Sequence, residues 1–125
     1  MNGLIFVTAG SCRSQLARLT QMLIFSFPGS TIYQHTDPLR VPHDVVSHKV
    51  DAVLLEAELE KTSGLDLMQQ LRRQKPELPV FLFSKTNHLR EKAAAAGATG
   101  YFVLPQNEEQ FLDAIRLLSC KEHVS

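Results

Sequence analysis

Five short apolar runs alternate along this chain with stretches that have the residue spacing of amphipathic helices. Each run is too short for a helix of ordinary length, and we interpret the runs as buried β-strands. Alternating strands and helices are typical of a parallel sheet with helices on both faces. Because crossovers between parallel strands are right-handed, the pattern predicts a doubly wound five-stranded α/β fold with strand order 2-1-3-4-5. The predicted strands are residues 4–7, 31–33, 52–55, 80–83 and 101–104, and the predicted helices are residues 14–27, 37–48, 64–74, 87–97 and 107–119.

Proline, glycine and asparagine mark several of the predicted helix ends. Pro28 and Gly29 end the first helix, and Pro42 must lie in the first turn of the second helix or break it. Asn87 is suited to cap the fourth helix, and Gly97 is suited to end it.

Size and composition indicate one globular domain spanning residues 1–125. Thirteen basic and thirteen acidic residues give zero net charge, which argues against direct binding of nucleic acid. No apolar run reaches the length of about 18 residues that a membrane span needs, and the start lacks the pattern of a signal peptide. Cys12 and Cys120 have neither metal-site nor redox spacing. We therefore expect a cytoplasmic protein without a membrane segment, metal or cofactor.

The strand ends indicate where a functional site would lie. In a doubly wound sheet, ligands bind at the carboxyl ends of the strands, where the strand order reverses. The residues at or beside these ends are Thr8, Ala9, Glu56, Ser84, Lys85 and Leu104. The sequence therefore predicts one crevice lined by these side chains.

Four segments resemble the response-regulator receiver family, the CheY-like superfamily. Residues 51–56 are similar to the family's third strand and its acceptor position, and residues 64–68 to the start of the following helix. Residues 78–84 are similar to the fourth strand. Residues 96–105 resemble the family signature Ala-Gly-Ala-x-Gly-Tyr-x-x-Lys-Pro, with Leu104 in place of the lysine. The order and spacing of the segments cover nearly the whole chain and imply the flavodoxin-like receiver fold.

The resemblance also implies a chemistry that this chain has largely lost. In the family, an acidic pair after strand one binds Mg²⁺, an aspartate after strand three accepts a phosphoryl group, and a Ser or Thr and a lysine hold its oxygens. Here Thr8 and Ala9 occupy the acidic positions, Glu56 the acceptor position and Leu104 the lysine position, while Ser84 is kept. The resemblance therefore implies an atypical receiver, a pseudo-receiver that lacks the phosphorylation site.

Two interpretations of Glu56 stay open. In one, its carboxylate lies where phosphoryl oxygens would lie and holds the domain in an active-like state, with a charge of about −1 against about −1.5 to −2 for a phosphate. In the other, it is solvated or hydrogen-bonded to Ser84 or Thr8. A further hypothesis pairs Lys85 with Glu56 in place of the missing lysine; the alternative is that Lys85 points into solvent.

The expected function is that of a binding module, not an enzyme, in two-component (phosphorelay) signal transduction. The resemblance implies a protein partner or self-association through a face formed by the fourth helix, fifth strand and fifth helix. Ser84, Tyr101 and Val103 are the implied switch and interaction residues, and alternation along the strand puts Tyr101 and Val103 on one side. Two alternatives remain: a residual Mg²⁺-dependent phosphoacceptor that uses Glu56 or Ser84, and the amino-terminal regulatory part of a transcriptional regulator whose output domain is missing.

Two other patterns are weaker. Residues 10–14 are similar to the loop of low-molecular-weight tyrosine phosphatases, but Val7 stands where that loop needs its nucleophilic cysteine. Glu56, Glu58 and Glu60 alternate beyond the third strand, and we interpret them as solvated loop carboxylates rather than as a metal cluster.

Overall fold

The computed structural model describes residues 3–59 and 62–124, with side chains to residue 118, so Glu60 and the side chain of Cys120 considered above lie outside the described part. The strands are β1 (Ile5–Ala9), β2 (Thr31–His35), β3 (Ala52–Glu56), β4 (Val80–Ser84) and β5 (Gly100–Val103). The helices are α1 (Arg13–Ser26), α2 (Val41–Ser47), α3 (Gly64–Gln74), α4 (Arg90–Ala95) and α5 (Glu108–Val124).

The five strands form one parallel sheet in the order β2-β1-β3-β4-β5, which confirms the predicted topology. The central strands β3 and β4 are buried almost completely because helices cover both faces of the sheet. Alternation along β3 sends Val53 and Leu55 into one core with α2, α3 and α4, and Ala52 and Leu54 into a second core with α1 and α5. The carboxyl ends of the strands, where the crevice is predicted, are therefore held between two packed layers.

Helix α3 begins where the sequence predicted, directly beyond the loop that follows β3. The Ser63 hydroxyl accepts a hydrogen bond from the Leu65 N–H at 3.1 Å and caps the helix. Gly64 lies so close to β3 that a Cβ atom there would be 2.4 Å from the Glu56 carbonyl oxygen. A residue larger than glycine would push the helix start away from the strand end.

The helix predicted over residues 37–48 is shorter than expected. A 3-10 turn, Pro38–Arg40, comes first, and α2 covers only Val41–Ser47. Pro42 lies in the first turn of α2, the tolerated one of its two predicted positions.

The fourth helix begins later than the sequence predicted. The prediction that Asn87 caps the helix is wrong: α4 begins at Arg90, and the Asn87 side chain accepts a hydrogen bond from the Arg90 guanidinium instead. The predicted stop at Gly97 is confirmed, since Gly97 has a φ of 94° and its N–H bonds the Ala94 carbonyl. The Ala98 N–H bonds the Ala93 carbonyl, which completes a Schellman motif.

Candidate functional site

The carboxyl ends of β1, β3 and β4 lie side by side and bring the predicted crevice residues together. Ala9 is aligned with Leu55, Glu56 with Phe83, and Ser84 with Val103. Parallel strands in this register place their following loops at one edge of the sheet.

The Glu56 carboxylate is held by the loop between β1 and α1. Its Oε1 accepts a hydrogen bond from the Ser11 backbone N–H at 2.7 Å. Gly10 makes room for this contact, because a Cβ atom on Gly10 would be 3.2 Å from Glu56 Oε1. Both hydrogen-bonding alternatives from the sequence, Ser84 and Thr8, are therefore wrong, and Ser11 is a site residue that sequence reasoning missed.

The two positions at the end of β1 supply no carboxylate. Thr8 and Ala9 are fully buried. The Thr8 Oγ1 has no hydrogen-bond partner among the described residues. Alternation along β1 puts Thr8 on the same face as Phe6, which packs in the core with α1 and α5. Thr8 is thus a core-facing residue beside the crevice.

Ser84 contacts a different acid from the one expected. Its buried hydroxyl donates a long hydrogen bond, 3.4 Å, to Glu58 Oε1 and accepts one from the Thr86 N–H at 3.2 Å. Glu58 Oε2 lies 3.2 Å from Nε2 of His88. The sequence predicted that Glu58 is a solvated loop carboxylate, but it contacts both Ser84 and His88. It is the acid that reaches Ser84.

Neither Lys85 nor Leu104 supplies a cationic side chain that pairs with Glu56. Lys85 is exposed and makes no ion pair with Glu56 or with any other residue in the described ranges. The hypothesis that Lys85 replaces the missing lysine at Glu56 is therefore wrong for this structure. Leu104 is buried with Phe83 and Phe111 in the core, just before a cis peptide bond to Pro105.

Tyr101 is buried and connected to the crevice through Thr86. The Tyr101 hydroxyl donates to the Thr86 carbonyl at 2.9 Å, and the Arg90 guanidinium lies 5.3 Å from the centre of the tyrosine ring. Tyr101 and Val103 pack on the same core, as the strand alternation predicted. Ser84, Thr86 and Tyr101 thus form a hydrogen-bonded path from the crevice to β5.

Cys12, at the start of α1, has a perturbed thiol. The Ser14 hydroxyl lies 3.4 Å from the Cys12 sulfur, and this hydrogen bond lowers the pKa of the Cys12 thiol below its usual range. The backbone N–H of Gln15 and the charge of Lys85 act in the same direction. The thiol is exposed, and Val7 stands at the position of the phosphatase nucleophile, so the loop lacks a phosphatase centre.

The donor atoms at the crevice do not fit Mg²⁺, the ion that the family's acceptor chemistry requires. Mg²⁺ prefers oxygen ligands, mainly carboxylates, in octahedral geometry. Thr8 and Ala9 offer no carboxylate, and Oε1 of Glu56 is bound to the Ser11 N–H. Among the side chains of residues 3–59 and 62–118, no group of three or more His, Cys, Asp or Glu is arranged to hold a metal ion. In the same part of the chain, no helix combines the length and apolarity that crossing a bilayer requires.

The sequence matches the family model of the response regulator receiver domain over residues 13–116. The match begins after β1, so Thr8 and Ala9 lie outside it, whereas Glu56, Ser84 and Leu104 lie inside. Among curated proteins, the chain is 28% identical over 95 residues to response regulator MprA of Mycobacterium ulcerans, covering 74% of this chain and 41% of MprA. The chain spans well under half the length of the curated relatives that it matches.

Solved structures have the same fold. The signal receiver domain of an HD domain-containing protein from Pseudomonas fluorescens Pf-5 is 23% identical, with a TM-score of 0.85 over 99% of this chain and 100% of that one. Response regulator TrrA from Thermotoga maritima, in complex with Mg²⁺ and BeF, is 19% identical, with a TM-score of 0.83 over 92% of this chain and 98% of that one.

Proposed function

The chain belongs to the response regulator receiver domain family, and we propose that it is an atypical member that signals by protein contact without aspartyl phosphorylation. Receiver domains are generally non-catalytic signalling domains of two-component systems. The proposal concerns what this one does without the family's phosphorylation chemistry.

The observation that carries the proposal is the hydrogen bond from the Ser11 N–H to Glu56. At the acceptor position, a carboxylate must be free to attack a phosphoryl donor and to share a metal with neighbouring carboxylates. Glu56 is instead bound to the β1–α1 loop, and its neighbours at the end of β1 carry no acid.

The missing cation supports the same proposal. A phosphoryl group acquires negative charge that a preorganised cation stabilises, and removing one such partner commonly costs about 10²–10³ in rate. Leu104 buries an apolar side chain at the lysine position, and the exposed Lys85 makes no ion pair with Glu56. The lost metal ligands add to this cost, so phosphoryl transfer to Glu56 is too slow to signal.

Glu56 fixes the loop rather than mimicking a phosphate, in our proposal. A phosphate mimic would have to reach Ser84, the retained oxygen-binding hydroxyl, but Ser84 contacts Glu58. From Ser84 the hydrogen bonds continue through Thr86 to Tyr101. We therefore assign the carboxylate beside the Ser84–Tyr101 path to Glu58.

The proposed output surface is the α4-β5-α5 face, which we infer engages a protein partner or a second copy. Tyr101 is held on the inner side of β5 by the Thr86 carbonyl and Arg90, and in our proposal these contacts set the shape of the face without a phosphorylation step. Direct nucleic-acid binding by this domain is not part of the proposal, because the chain has no net positive charge.

A second candidate role concerns the protein as a whole. Since the chain covers 41% of MprA, a response regulator, it is suited to be the regulatory part of a longer regulator whose output domain is not in this sequence. The two roles are compatible, because a fixed α4-β5-α5 face would also control an attached domain.

Mass spectrometry after incubation with acetyl phosphate and Mg²⁺ tests the proposal. We expect no phosphorylation of the natural sequence, and a measurable Mg²⁺-dependent mass gain for a matched variant with Thr8→Asp, Ala9→Asp, Glu56→Asp and Leu104→Lys. A Mg²⁺-dependent mass gain on the natural sequence would support the residual phosphoacceptor instead.

A further inference from the structure

A groove runs beside the crevice, between α1 and the segment that joins β5 to α5. Its volume is about 850 Å³, which lies within the range of about 300–1,000 Å³ typical of small-molecule sites. The α1 wall extends from Ser14 to Phe25, a rise of about 16 Å at the helical spacing of about 1.5 Å per residue. The groove is thus long and open on one side.

The apolar lining of the groove comprises its far end on α1 and its floor at the strand ends. Met22 and Phe25 line it from α1, and Phe83 and Leu104 line it from the strand ends. Phe25 is 88% exposed, an unusual position for a phenylalanine that no described residue covers. Leu104 extends this apolar floor to the place where the family has a charged lysine. Flexible methionine and flat aromatic side chains adapt to an apolar ligand body.

The near end of the groove carries two cationic side chains, Arg18 and Lys85, and one carboxylate, Glu108. Lys85 lines it and has no ion-pair partner among the described residues. Arg18 has only a long contact, 3.8 Å, with Glu108, and both side chains are well exposed. Helix α1 carries Arg13 and Arg18 but no acidic residue, and its first turn has no side-chain cap. Ser14 and Gln15 line the groove at the start of α1, where the positive end of the helix dipole lies.

We propose that this groove binds a small amphipathic anion, with an elongated apolar body between Met22, Phe25 and Leu104 and a carboxylate head at Lys85. The shape and the separation of charge from apolar surface select this occupant. The volume of about 850 Å³ is in the range of small-molecule sites, which favours a small ligand over a partner helix. The groove shares Lys85 and Leu104 with the predicted crevice, but Glu56 and Ser84 do not line it, so the proposal does not depend on the proposed function.

The test is an NMR titration of the ¹⁵N-labelled chain with octanoate and, separately, with the neutral 1-octanol. We expect octanoate to shift the amides of Ser14, Met22, Lys85 and Gln106 saturably, with a dissociation constant tighter than about 1 mM. Octanol should bind about tenfold more weakly, because it lacks the charge that meets Lys85.

Matched variants at exposed positions locate the site without affecting the fold. Lys85→Gln and Phe25→Ala should each weaken octanoate binding by about fivefold or more, while Lys49→Gln and Leu117→Ala, outside the groove, should leave it unchanged. Absence of saturable shifts, or equal weakening by the outside variants, would overturn the proposal. So would Phe25-dependent dimerisation without octanoate binding, because the groove would then belong to a second copy.

Discussion

The carboxylate of Glu56 and the backbone N–H of Ser11 are joined by a hydrogen bond of 2.7 Å that spans 45 residues of sequence. The bond ties the end of β3 to the loop between β1 and α1. In a phosphorylated receiver these two elements would be held together through a metal and a phosphoryl group. Here one side chain connects them directly, and the loop depends on neither ligand.

Removing the carboxylate should therefore loosen the loop. We expect Glu56→Ala to lower the free energy of unfolding by about 1 kcal/mol, the usual net contribution of such a hydrogen bond at a partly exposed site. Glu56→Gln keeps an acceptor oxygen and should lose less. Urea denaturation measures both, with the exposed Glu91→Ala on α4 as the control. Equal stability of Glu56→Ala and the natural sequence would show that the bond is not stabilising.

Gly10 should be coupled energetically to Glu56. A Cβ atom at Gly10 would be 3.2 Å from Glu56 Oε1, so Gly10→Ala must displace the carboxylate or the nearby Leu16 side chain. We expect Gly10→Ala to cost more stability in the natural sequence than in the Glu56→Ala background, with a coupling of about 0.5–1 kcal/mol. A double-mutant cycle measured in urea gives this value. Strict additivity would mean that only the Leu16 contact matters.

The Tyr101 hydroxyl should contribute to stability through its bond to the Thr86 carbonyl. Tyr101→Phe removes this 2.9 Å hydrogen bond from a buried ring, and we expect a loss of about 1 kcal/mol in the free energy of unfolding. Tyr33→Phe is the matched control, because the Tyr33 ring stacks on His48 and its hydroxyl has no hydrogen bond among the described residues. Similar losses for both variants would contradict the assigned role of the Thr86 contact.

The Cys12 thiol should react with iodoacetamide at lower pH than an unperturbed cysteine. Its pKa is lowered chiefly by the Ser14 hydroxyl, so a larger fraction is thiolate at neutral pH, and alkylation is faster there. The pH profile of Cys12 alkylation, followed by peptide mass spectrometry, should move to higher pH in Ser14→Ala. Ser11→Ala is the control and should leave the profile in place. An unchanged profile in Ser14→Ala would contradict the assignment.

The fold could be predicted because its signals are local and repeated. Short apolar runs such as residues 80–83 and helix stops such as Gly97 each indicate one element, and the handedness of crossovers then limits the topology. The predicted cap at Asn87 failed because its side chain had another partner, the Arg90 guanidinium. Competition between nearby hydrogen-bond partners decides such positions, and the sequence does not rank them.

The crevice residues could be named from the sequence, but their partners could not. Glu56 accepts a hydrogen bond from a backbone N–H, and every residue except proline has one. The amino-acid sequence therefore does not identify Ser11 as the donor. Charge attraction suggested that Lys85 would pair with Glu56. An exposed pair contributes at most about 1 kcal/mol and must order two long side chains, so a backbone donor already in place competes successfully.

The central claim, that this receiver works without phosphate, is tested most directly by amide NMR of the labelled domain titrated with Mg²⁺ and then with beryllofluoride, which imitates an aspartyl phosphate. We predict no saturable shifts at Ser11, Glu56, Ser84 or Tyr101. Saturable shifts that begin in the crevice and reach Tyr101 would contradict the account, since they would mean that the crevice binds metal and phosphoryl groups and transmits their binding to β5.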